Sequence, residues 1–149
     1  MNAFAFKAAI RRVLQDLGFR DLGKLLRRDQ SGVSVLVAFE KGFEKQWFLS
    51  VGFWLHALGQ VIPDRVEQTH LYLRLDRLLP ASREAILTAG ALDDPAQAEA
   101  YDRLLELLVQ DFDVLLRDLG TDAGLRNAAR ASQLKQGLMR KEAREYLES

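Results

Sequence analysis

Apolar residues recur at helical spacing over the first seventeen positions. Phe6, Ile10, Val13, Leu14 and Leu17 follow one another at steps of four, three, one and three. This is the stripe of an amphipathic helix, predicted over about residues 2–17, with Gly18 placed to end it in a left-handed turn. From Gly23 to Leu55 the period changes to two. Val33, Val35, Val37 and Phe39 alternate with Ser34, Leu36, Ala38 and Glu40; Trp47, Leu49, Val51, Phe53 and Leu55 alternate with Phe48, Ser50, Gly52, Trp54 and His56. Such alternation predicts strands at about 24–28, 33–40 and 46–56. The segments between them, Asp29-Gln30-Ser31-Gly32 and Lys41-Gly42-Phe43-Glu44-Lys45, carry turn chemistry and are too short for parallel crossovers. The strands are therefore expected to form an antiparallel meander.

After a loop containing Gly59 and Pro63, the run from His70 to Asp76 alternates again and predicts a fourth strand at about 69–76. Beyond Pro80 the period is helical. Helices are predicted at about 82–88, 95–119, 123–131 and 133–147, the last interrupted by Gly137. In the longest, Asp94-Pro95-Ala96-Gln97 reads as an N-cap, a proline at the first helical position and a capping-box partner. Its stripe is Tyr101, Leu104, Leu105, Leu108, Phe112, Leu115 and Leu119, and Gly120 ends it. The order implies a single α+β domain over residues 1–149: an N-terminal helix, a four-stranded antiparallel meander sheet, and C-terminal helices packed on that sheet. The central strand is apolar on both sides, so its second face is expected either to be covered or to form a groove.

Composition narrows the classes open to such a fold. With 149 residues, 48% hydrophobic and 28% charged, the chain is neither disordered nor low in complexity. The absence of cysteine removes disulfides, thiolate metal sites and cysteine nucleophiles together. No secretory leader is legible at the start and no apolar run approaches the roughly 18 residues of a membrane span, so a cytoplasmic location is expected. Gly-rich phosphate loops, G-x-S-x-G, H-E-x-x-H and EF-hand patterns are missing. No residue is assigned to catalysis, to a metal or to a cofactor.

Charge is distributed unevenly beneath a net value of zero, 21 bases against 21 acids. Neutrality disfavours nucleic acid as a partner. Yet residues 93–122 hold nine acids against Arg103 and Arg117, a net −7, while residues 126–144 hold six bases, Lys135 among them, against Glu142, a net +5. At roughly 100° per residue, Glu99, Asp102, Glu106 and Asp113 fall within a sector of about 60° opposite the leucine stripe. This acidic ridge has three readings. It is a solvated helix face partly neutralised by the basic tail, or a docking surface for a basic protein partner, such as a toxin that acts on nucleic acid. In the third, the tail itself contacts phosphates.

A rival site lies on the sheet. If the strands ending near His56 and beginning near His70 pair, both imidazoles stand at one rim beside Asp64 and Glu67, where they would suit a divalent metal or a general base. The sheet face bearing Trp54, His56, His70, Tyr72 and Arg74 combines aromatic surface with a cation and hydrogen-bond donors, as a small-ligand site does. The competing reading makes these ordinary rim residues, with a terminal helix over Trp54 and Gly52 relieving packing.

The meander also carries a family likeness. Leu17-Gly18-Phe19, Gly23, Arg27-Arg28, the strand VSVLVAFEK and Phe48-Leu49-Ser50-Val51-Gly52 together resemble the bacterial family catalogued as domain of unknown function 4304, and HLYLRLDRLLP with the helical tail extends the resemblance over most of the chain. The resemblance implies a small bacterial α+β domain and carries no functional residues with it. Together the charge pattern and the missing motifs lead to the expectation of a non-catalytic interaction module, immunity-like or regulatory, acting through the ridge. The alternative is a ligand-binding or metal-dependent enzyme domain centred on His56 and His70.

Overall fold

A computed structural model of the chain describes residues 1–131, 134 and 137–149. Asn2 opens α1 (Ala3–Asp16) by accepting the Ala5 N–H at 2.8 Å on its side-chain oxygen, which satisfies one of the amides a helix start leaves unpaired. The helix closes in a Schellman turn. Gly18, at φ +95°, donates its N–H to the Gln15 carbonyl, and Phe19 donates to the Leu14 carbonyl, both at 3.0 Å. Phe6, Ile10 and Leu14 are buried as the stripe requires.

The sheet is antiparallel throughout and runs β1 (Arg20–Asp21), β2 (Leu26–Gln30), β3 (Val33–Lys41), β4 (Trp47–Leu55), β5 (Leu71–Arg74) and β6 (Leu138–Met139) in that order. The α+β class and the meander are as expected, but there are six strands rather than four. The two additions are dipeptides at the edges, too short to carry a period of two. The strand expected at 24–28 begins at Leu26 and continues to Gln30. The one expected at 69–76 stops at Arg74, and the chain turns directly into α2 (Leu75–Leu78). Leu71, Leu73 and Leu75 alternate, whereas Leu75 and Leu78 share a helical face, so the periodicity suited both forms and burial of Leu75 and Leu78 decided between them.

The remaining helices are α3 (Arg83–Gly90), α4 (Gln97–Leu107), a π turn at Leu108–Phe112, α5 (Asp113–Leu119), α6 (Asp122–Arg130) and α7 (Lys141–Glu148). The predicted capping box is not formed. Asp94 accepts the Ala96 N–H within a turn, while Gln97 is buried and donates its amide to the Ala89 carbonyl at 2.9 Å, tying α4 to the end of α3. The helix predicted over 133–147 is also corrected. Leu138 and Met139 pair with Tyr72 and Leu71 instead, and the helix proper begins at Lys141; Gln133 and Lys135 lie outside the described residues.

One face of the sheet, with Leu26, Val33, Val35, Val37, Leu49, Val51, Phe53, Leu55, Leu71 and Leu73, joins the helices in the main core. Each such side chain contributes about 1.5–3 kcal/mol on leaving water. On the opposite face Leu25, Leu36 and Val66 form a second, smaller cluster with Ala38, Ile62 and Tyr72. The cover over this face comes from residues 59–69, not from a terminal helix. Gly52 permits it: a Cβ there would stand 2.5 Å from Thr69 Oγ1 and 2.9 Å from a Val66 methyl. Among the described residues no helix is long and apolar enough to cross a membrane.

Candidate functional site

The acidic ridge is real over the length of α4 and ends there. Tyr101, Leu104 and Leu107 face the core, and Glu99, Asp102 and Glu106 are exposed on the opposite side. Glu106 has Arg103 at 3.9 Å; Glu99 and Asp102 form no ion pair among the described residues. Asp113 does not join them. A π turn acts as one residue inserted into an α-helix, so everything beyond it is rotated by roughly 100°. The rotation buries Leu116 rather than Leu115 and carries Asp113 against Arg28 of β2 at 2.8 Å, where both side chains are about 15% exposed. Arg28 also donates to the Leu17 carbonyl at 2.8 Å and to Gln30 at 2.9 Å. Asp113 therefore clamps three elements together. Its partner lies 85 residues away, a separation at which spacing carries no signal.

The ridge borders a groove of about 480 Å³ between α3 and α4. Ala81, Ala85, Thr88, Ala96 and Ala100 line it with small side chains, and Ser82, Glu84, Glu99 and Arg103 complete the lining. Nothing in the alternation of the sequence marked Glu84, on the shorter helix, as a companion of the ridge. Among the described residues, no base of the tail forms an ion pair with this face. Arg126 is taken by Asp122 at 2.8 Å and by the Tyr146 carbonyl at 2.8 Å, and Lys141 stands 3.9 Å from Glu145. Burial works against the Asp122 charge, but the Tyr146 hydroxyl and Arg126 outweigh it and hold that carboxyl below the usual range.

On the second sheet face the predicted residues do share one side, since Ser50 is paired with Arg74 and Gly52 with Tyr72. They divide into two groups. Trp54, His56 and His70 are committed to the structure. His70 is 2% exposed, stacks on Trp54 with ring centroids 3.9 Å apart, and accepts the Leu55 N–H at Nδ1, 2.9 Å away. The accepting lone pair assigns the proton to Nε2. Trp54 donates its indole N–H to the Gly59 carbonyl at 2.9 Å. His56 Nε2 lies 2.8 Å from Ser34 Oγ, which in turn donates to Asp29 at 2.5 Å. The types are those of a nucleophilic triad, but the order is not: the serine lies in the middle, fully buried, with its O–H donated to the carboxylate. Hydrogen bonding from Arg27, then from Ser34, holds the Asp29 carboxyl below its ordinary range despite burial. Among the described residues no three His, Cys, Asp or Glu side chains gather as a metal site.

Tyr72 and Arg74 belong to the other, more open group. Tyr72 donates its hydroxyl to Glu40, two strands away on β3, and Arg74 stacks on Phe48 at 4.3 Å while donating to Asp76 at 3.0 Å. Burial first, and the Glu40 carboxylate after it, push the Tyr72 hydroxyl above its ordinary value, so it remains a donor. Glu40 lines a second hollow of about 300 Å³ with Lys24, Leu25, Ala38, Phe39, Asp64, Arg65, Val66 and Glu67. Sequence reasoning missed Glu40 and Lys24 because neither lies near a histidine in the chain. Compared with protein-family models, with curated proteins and with solved structures, the chain finds no match in any of the three.

Proposed function

We infer that the protein is a non-catalytic interaction module, immunity-like or regulatory, that docks a basic protein partner on the face shared by α3 and α4. The observation that carries this reading is that Glu84, Glu99 and Asp102, exposed on that face, form no ion pair among the described residues, and two of them border the groove. Small side chains beneath and carboxylates at the edge suit a basic side chain whose aliphatic stem lies on alanine and whose charge meets the acids. Fields of this kind raise association rates by roughly 10–10³-fold and fade as salt rises. Asp113 is not part of the contact, being spent on Arg28. The bound partner is to be recovered by affinity capture from the native host, and its association rate compared between the natural chain and one carrying Glu99→Lys, Asp102→Lys and Glu106→Lys. A fall in that rate at low salt, closing at high salt, is the expected result. Equal rates for both proteins at low salt overturn the reading.

A further inference from the structure

The hollow on the second sheet face gathers charges of both signs that form no ion pairs among the described residues. Lys24, two residues ahead of β2, and Arg65, in the segment that covers the sheet, are its two cations; Glu40, Asp64 and Glu67 are its carboxylates. None of these five forms an ion pair with any described residue, although opposite charges border one space of about 300 Å³. Elsewhere the protein pairs its charges closely, Arg27 with Asp29 at 2.7 Å and Arg11 with Asp21 at 2.7 Å. Lys24, Asp64, Arg65 and Glu67 are exposed and Glu40 is half-buried, so a ligand carrying charges of both signs would engage the two sets together.

We propose that this hollow binds a free α-amino acid as its zwitterion, the ammonium meeting Glu40 and its neighbouring carboxylates, the carboxylate meeting Lys24 and Arg65, and a small apolar side chain resting on Leu25, Ala38 and Val66. Two further observations support it. Glu40 is pre-positioned, because the Tyr72 hydroxyl donates to it across β4 and is held as a donor by its own burial. The volume lies at the lower end of small-molecule sites, and the apolar contacts come from the second core cluster, which is buried against the sheet. The site is separate from the α3–α4 face, and neither depends on the other.

Isothermal titration of the full chain with the free amino acids, and with L-valine capped as N-acetyl-L-valine or as L-valinamide, tests this. L-Valine or another apolar amino acid is expected to bind, and each cap, removing one charge, to weaken binding about tenfold or more. Glu40→Gln, which still accepts from Tyr72, and Lys24→Met, at an exposed position, are each expected to weaken it about tenfold or more. Lys24→Met cannot fail by unfolding the core, since Lys24 contributes nothing to it. Absence of binding by every free amino acid, equal binding of the capped forms, selection of a charged side chain, or unchanged affinity in both variants overturns the proposal.

Discussion

Acid should loosen this protein through His70 before it does so through any carboxylate. The imidazole is 2% exposed, faces the Leu55 N–H with its Nδ1 lone pair, and lies flat on Trp54. A second proton would set two donors against each other in a site closed off from solvent. Of the charged groups facing it, Glu142 on α7 favours the proton and Arg140, just ahead of α7, opposes it; burial outweighs both, and its pKa lies below the ordinary 6.5. The sign follows from linkage. The unfolded chain takes up a proton below pH 6.5 while the folded chain does not, so stability is fully present above 6.5 and is lost as pH falls from 6.5 toward the folded value. Each pH unit within that window removes up to about 1.4 kcal/mol. Urea unfolding of the natural chain and of His70→Gln, followed by tryptophan fluorescence from about pH 8 to about pH 5, isolates the effect, because His56 and all carboxylates are common to both. The natural chain should lose stability more steeply than the variant below 6.5, and the two should run parallel above it. Parallel curves across the whole range would mean that His70 titrates alike in the folded and unfolded chain, and the account of its burial would fail.

Four other substitutions probe the framework. Asp113→Ala leaves Arg28, whose side chain is 15% exposed, without its carboxylate, and should cost about 1–3 kcal/mol by chemical denaturation, whereas Glu106→Ala, at a side chain 60% exposed, should stay within about 0.5 kcal/mol. Equal costs would contradict the phase shift assigned to the π turn. Gly52→Ala pushes a methyl into Thr69 and Val66 and should destabilise by about 1–3 kcal/mol, lowering the thermal midpoint; an unchanged midpoint would mean that residues 59–69 do not sit tightly on the sheet. Phe112→Ala, emptying a fully buried position stacked on Phe19, should cost about 3–5 kcal/mol, and a loss under 1 kcal/mol would place the π turn outside the core.

How much of this was legible in the residues depends on how local the deciding interaction is. The register of β3 on β4 follows from two alternating runs joined by a short turn, and Val35 opposite Phe53 or Val37 opposite Val51 needs nothing further. The end of α1 is equally local, since Gly18 and Phe19 bond to carbonyls three and five residues back. Asp94 and Gln97 mark where local chemistry was outbid: a capping box competes with a buried amide donating to Ala89, and the buried bond wins because an unpaired amide there would cost more than an unfilled cap. For the candidate sites the same division holds. Glu99, Asp102 and Glu106 share a face by angle alone, while Asp113 was misplaced by a single wide turn. Tyr72 and Arg74 were placed on the correct face by alternation, but their partners Glu40 and Phe48 arrive by pairing across strands.

By itself, then, the sequence determined what repeats within one element: the amphipathic helices, the central hairpin, the side of each strand that enters the core and the acidic side of α4. These depend on the fixed geometry of helix and strand, which any run of suitable residues inherits. The tertiary structure alone decided the two edge strands, the covering of the second face by residues 59–69, the withdrawal of Asp113 from the ridge, and the gathering of Lys24, Glu40, Arg65 and Glu67 around one hollow. Each of these is a contact between residues distant in the chain, chosen by competition among buried polar groups and packing volumes, and such a competition has no outcome until the whole core is assembled.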